Sequence, residues 1–114
     1  MHTKYKGILG ETIAAIYLIF KGFWIIERRF KTRCGEIDII AIKNDIVVFV
    51  EVKSRKNIDQ CFNAIRHRQL RRIQNASQIF LKRNPNLMKH QIRFDVVLIS
   101  DWCLPLHIEN VSQF

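Results

Sequence analysis

A chain of 114 residues, 48% of them apolar, is long enough to bury one core and too short for two, and only four Gly and two Pro argue against linkers or low-complexity segments. Cys34, Cys61 and Cys103 are odd in number and widely spaced, without the paired Cys/His spacing of a zinc site, and read as reduced thiols. A net charge of +9 points to a polyanionic partner or to a solvated basic surface.

In chain order, the first predicted element is a helix over residues 4–21, stopped by Gly22. Leu9, Ile13, Ile16 and Phe20, with Ile8, Ala15 and Ile19, form a broad apolar stripe expected to face the core. Glu11 lies at the edge of that stripe and has no basic residue three or four positions away, so the ordinary helix ion pair is closed to it. The longest apolar run, residues 13–20, is too short to span a bilayer and Glu11 interrupts a signal-peptide pattern, so a cytoplasmic protein with no membrane partner is expected.

Extended segments follow at 23–31, 36–43 and 46–53, and the turn residues Asn44 and Asp45 predict an antiparallel hairpin between the last two. The run IVVFV reads as a central strand covered on both faces. One long helix is then predicted over 60–82, with Phe62, Ile73, Ala76 and Phe80 on the packed side, flanked by Ile65 and Leu70, and Arg68, Arg71, Arg72 and Lys82 on the other. No acidic residue occurs from Gln60 to Phe94, a stretch that also carries Arg66, Arg83, Lys89 and Arg93. Asn84, Pro85 and Asn86 break the helix, residues 92–100 read as a buried strand, and residues 104–111 offer a short edge strand. The order predicts an α/β fold, a mixed sheet flanked by helices.

The stretch GEIDIIAIKNDIVVFVEVKSR, residues 35–55, sets Asp38 and Glu51 against strongly β-forming runs. Strand alternation puts Glu51 and Lys53 on one face, with Asp38 on the neighbouring strand. A same-face Glu51–Lys53 ion pair, worth roughly 0–1 kcal/mol if exposed, leaves Asp38 unexplained. Converging carboxylates repel unless a cation lies between them, and Mg²⁺ or Mn²⁺ held by Asp38, Glu51 and the Val52 carbonyl would remove that conflict. Lys53, beyond them, would orient or deprotonate a water and offset charge on a phosphate, as metal-assisted phosphodiester hydrolysis requires. Gln69, beside the basic stripe, reads either as bonded to sheet backbone or as reaching the metal site or a phosphate.

The strings GILGE (7–11), GEIDII (35–40), VFVEVKSR (48–55), RFDVV (93–97) and HIENVSQF (107–114) together resemble the YraN-like family of small bacterial proteins over almost the whole chain. That family is similar to the PD-(D/E)xK nucleases, the restriction-endonuclease-like superfamily that includes archaeal Holliday-junction resolvases. The resemblance implies a single nuclease-like domain over 1–114, with a mixed four- or five-stranded sheet flanked by helices in an αβββαβ core. Carried over by position, Asp38 matches the motif aspartate, Glu51 and Lys53 the E-x-K half, and Glu11 the first-helix glutamate. These four are the expected catalytic residues, with Asp38, Glu51 and Val52 as metal ligands. Glu36 is expected either near the metal or paired with a neighbouring arginine. The chain departs from the pattern at Arg29 and Lys31, where asparagine and arginine usually stand, and at Arg68, where lysine does.

The function so implied is a metal-dependent nuclease acting on DNA, or next on structured RNA, with Arg55, Arg66, Arg68, Arg71 and Arg72 on phosphates. Junction-cutting relatives act as dimers, so a homodimer is a further expectation. The alternative is a non-catalytic nucleic-acid-binding or assembly module that keeps the nuclease fold.

Overall fold

The computed structural model describes residues 3–111, with side chains from Gly7 onward, so His2 and the last three residues of the HIENVSQF string lie outside it. Helix α1 (Thr3–Phe20) ends just before Gly22 and leads into strands β1 (Trp24–Thr32), β2 (Gly35–Lys43) and β3 (Ile46–Arg55). Helices α2 (Ile58–Asn63) and α3 (His67–Arg83), a 3₁₀ turn (Pro85–Lys89), β4 (Gln91–Ser100) and β5 (Leu106–Ile108) complete the chain. The strands form one sheet in the order β1-β2-β3-β4-β5. Only β3 and β4 are parallel, and α2 and α3 supply the crossover that a parallel pair needs. Among the described residues no helix is long and apolar enough to cross a membrane.

Asn44 and Asp45 close the β2–β3 hairpin, with Lys43 opposite Ile46 and Asn44 at φ 54, a left-handed conformation that Asn tolerates. The central strand β3 is covered on both sides, as its apolar run predicts. Phe49 packs with Ile37, Ile40, Ile73 and Phe80 under α3, and Val48 and Val50 pack with Ile39, Ala14 and Leu18 under α1. At roughly 1.5–3 kcal/mol per buried large side chain, these two layers hold the strand ends that carry the acidic residues.

Three expectations are corrected. The face of α1 that meets the sheet is Gly10, Ala14, Ala15 and Leu18, whereas Leu9, Ile13, Ile16, Ile19 and Phe20 are exposed, Phe20 at 86%. Small residues won because they let the helix approach closely: a Cβ on Gly10 would stand 2.8 Å from Ser54 Cβ. The single helix over 60–82 is two helices, interrupted at residues 64–66, where Arg66 is extended (φ −130, ψ 137). The break turns Cys61 into the core, its Sγ 3.3 Å from the Ile99 carbonyl oxygen, and leaves Phe62 45% exposed. The edge strand shrinks to three residues, Leu106–Ile108.

Candidate active site at the splayed end of β2 and β3

Pairing between β2 and β3 ends at Ile39 opposite Val50. Ile37 packs on the α3 side of the sheet and Ile39 on the α1 side, so the two-residue alternation slips at Asp38. The slip leaves the Asp38 carboxylate at the mouth of the opened ladder. There Oδ2 accepts the Val52 N–H at 2.8 Å, replacing the backbone acceptor that continued pairing would have supplied. A strand residue sends its N–H and C=O to the same side, so the Val52 carbonyl opens on the same gap.

The Asp38 and Glu51 carboxyls stand close enough for each to act on the charge of the other. Burial, then the negative charge of Glu51, pushes the Asp38 carboxyl up to about 8 against the pull of the Val52 N–H. Burial also raises Glu51, with Lys53 opposing. The two acids are therefore short of positive charge.

Helix α1 delivers Glu11 because Gly10 lets it press on β3. Glu11 Oε1 is buried and has no hydrogen-bond partner among the described residues. Burial and then Asp38 raise its carboxyl, and Arg29, with Nε 3.8 Å from Oε1, opposes them. Arg29 stands at φ 56 inside β1, a conformation that costs a non-glycine residue of order 1–3 kcal/mol. Its guanidinium also lies 3.9 Å from Glu36 Oε1. Of the two expectations for Glu36, the pair with a neighbouring arginine is present, with Arg29, and the side chain also lines the acidic cavity.

Lys53 is buried, with Nζ 3.3 Å from Glu51 Oε1 and 2.6 Å from Gln69 Oε1. The Glu51–Lys53 pair exists as one link of a three-residue chain. Gln69 accepts from the ammonium and is not spent on sheet backbone.

A cavity of about 420 Å³ gathers Glu11, Glu36, Asp38 and Glu51 with Arg29, Gln69 and Arg72. Gly35 admits Arg72, since a Cβ there would meet Arg72 Cβ at 3.0 Å, and Arg72 Nε donates to the Cys34 carbonyl at 3.1 Å. A second cavity of about 510 Å³ meets the first at Gln69 and is lined by Lys53, Arg55 and Arg66. Val52 and Arg55 also border a smaller opening beside Glu11, Asp38 and Glu51. Arg68 and Arg71 are exposed on α3 and line none of these cavities, so the structure brings three of the five expected arginines to the site.

Among the described residues no three His, Cys, Asp or Glu side chains are gathered tightly enough to hold a metal by themselves. Two adjacent carboxylates, a neighbouring carbonyl and an unsatisfied buried oxygen on Glu11 instead match the oxygen-rich, water-retaining coordination that Mg²⁺ prefers. Sequence reasoning missed the place of Arg29, because nothing local signals that a β1 residue will adopt positive φ and lean over the acids of β2.

Residues 10–99 match the model of the family described as "Uncharacterised protein family UPF0102". A UPF0102 protein of Mesorhizobium japonicum is 45% identical over 105 residues, covering 92% of this chain and 84% of its own length. UPF0102 proteins of Rhodopseudomonas palustris strain HaA2 and Bartonella tribocorum are 46% and 42% identical, covering 90% and 91% of this chain and 80% of each relative. The chain belongs to the UPF0102 family.

Proposed function

We propose that the protein is a metal-dependent phosphodiesterase of the PD-(D/E)xK type that cleaves nucleic acid, with DNA the first substrate to test. The observation that carries this reading is the convergence of Asp38 and Glu51, two adjacent acids raised by burial, beside a lysine held by Gln69. A structural ion pair would need one carboxylate, and the second would be a liability.

Asp38, Glu51 and the Val52 carbonyl would hold Mg²⁺ or Mn²⁺. Bound there, the ion would neutralise charge on a phosphate and acidify water near it. Lys53, kept against Glu51 by Gln69, would offset charge building on a phosphate or orient an incoming water. Glu11, whose Oε1 is buried without a hydrogen-bond partner among the described residues, would add its negative charge to the cavity wall. Arg55, Arg66 and Arg72 border the joined cavities and suit the phosphates of a strand without reading its bases.

One observation favours a second reading. Arg68 and Arg71 lie outside the cavities, where phosphate contacts require no chemistry, as in a binding or assembly module. Incubating the protein with plasmid, branched DNA and RNA in Mg²⁺ or Mn²⁺, beside Glu51→Ala and Lys53→Ala, separates the two. Cleavage that both substitutions abolish supports the nuclease. Salt-sensitive binding with no cleavage by any form leaves the binding module.

A further inference from the structure

The face of α1 with core-like spacing is the face the monomer leaves outside. Leu9, Ile13, Ile16 and Phe20 are 48%, 37%, 49% and 86% exposed, and Ile19 at 55% and Trp24 at 78% extend the patch. We infer that this face is the contact between two copies of the chain, independently of what the acidic site does.

The intervals 9, 13, 16 and 20 run four, three, four, the seam spacing with which one helix packs against another of the same kind. At about 200 Å² for a large apolar side chain, these exposures leave on the order of 700 Å² of apolar surface, near the roughly 800 Å² per partner of a standard interface. The charge pattern selects a like copy. Between Gly7 and Phe20 the only charged residue is Glu11, and it turns inward at 14% side-chain exposure. Two chains of +9 repel through most of their surface, but the apolar side chains of this face carry no charge, and Arg28, which donates to Thr12 at 3.0 Å, and Lys21 stand at its edge. Helix α3, with its exposed arginines, lies across the sheet from α1, so the contact leaves the basic face free.

A lipid surface is the competing occupant for an apolar helix face. An interfacial helix shows headgroups a charged polar side, whereas the reverse side of α1 is packed on β3.

Sedimentation equilibrium at micromolar concentration should show a wild-type dimer. Ile16→Asp and Phe20→Ser should each weaken it by at least about thirtyfold with unchanged far-UV circular dichroism, whereas Met88→Asp, an exposed apolar residue elsewhere, should leave it intact. Because Phe20 is nearly fully exposed, its substitution cannot act by disturbing monomer packing. A wild-type monomer, or a dimer indifferent to both α1 substitutions, overturns the inference. So does flotation with phosphatidylglycerol–phosphatidylcholine vesicles that Ile16→Asp abolishes, which would assign the face to lipid.

Discussion

Gln69 Oε1 and Lys53 Nζ are 2.6 Å apart, which ties the first turn of α3 to the end of β3 and holds the ammonium 3.3 Å from Glu51. Lysine carries several rotatable bonds, and ordering its head costs entropy that a single ion pair at this distance repays poorly. The amide supplies the second point of attachment. It exists only because the chain breaks at residues 64–66 and starts a new helix at His67.

Gln69→Leu should therefore lower the cleavage rate about 10- to 100-fold, since a displacement near 1 Å at a reacting group has effects of that size. Calorimetric Mn²⁺ affinity should change little, because the amide touches no expected ligand. An equal loss of both would mean that Gln69 supports the fold around the acids and not the lysine.

The Asp38 carboxyl stands at about 8 in the folded chain against an ordinary 3.8. The native state thus holds more protons than the unfolded one between these values, so the group's contribution is complete below about pH 4 and is lost as pH rises toward 8. Asp38→Asn, which keeps an oxygen for the Val52 N–H, should stabilise the metal-free protein on the order of 1–3 kcal/mol near pH 8 and much less near pH 4. Mn²⁺ must displace the same proton, so its affinity should climb with pH until about 8 and then level. Thermal melts and calorimetry across that range check both, and a pH-independent Mn²⁺ affinity would contradict Asp38 as the raised ligand.

Gly10→Ala should destabilise the fold by about 1–3 kcal/mol, because the new methyl meets Ser54 Cβ at 2.8 Å and Oγ at 2.9 Å. Ser54→Gly on the same background should restore most of it by denaturant titration. Any residual loss of activity in the double variant would report displacement of Glu11, the next residue on α1.

Arg66→Ala and Arg55→Ala should each reduce the salt dependence of DNA binding by about 0.9 in the log–log slope if each side chain meets one phosphate. Glu51→Ala should abolish cleavage without weakening binding, since it removes a negative charge from the cleft. Fluorescence anisotropy over a salt series distinguishes these effects.

Asp95, inside the RFDVV string, is buried and accepts from Arg93 Nε at 2.9 Å, from the Asn110 N–H at 3.0 Å and, across 2.7 Å, pairs with His107 Nε2. Burial opposes its ionisation, but the hydrogen bonds of His107 and Arg93 hold its carboxyl below the usual range. Asp95→Ala should cost about 3–5 kcal/mol in denaturant titration, because it strands a guanidinium and a buried imidazole. Arg93 and Asp95 of the RFDVV string and His107 and Asn110 of the last string thus form a structural tie between β4 and the chain around β5.

The sequence by itself determined what alternation and turn chemistry carry: the Asn44–Asp45 hairpin, the doubly covered IVVFV strand, Glu51 and Lys53 on one face, and the strand after Pro85. These follow from a two-residue period and local backbone preferences, which are written residue by residue. It also marked Glu11 as a helix acid without a local partner. Only the tertiary structure decided which face of α1 goes inside, because hydrophobicity names a bulky stripe and close approach rewards glycine and alanine. The slip at Asp38, the positive φ of Arg29, the break that aims Gln69 at Lys53 and the absence of Arg68 and Arg71 from the cavities were likewise beyond it. Each depends on where a distant strand or helix comes to rest, and a periodic pattern along one segment holds no record of that position.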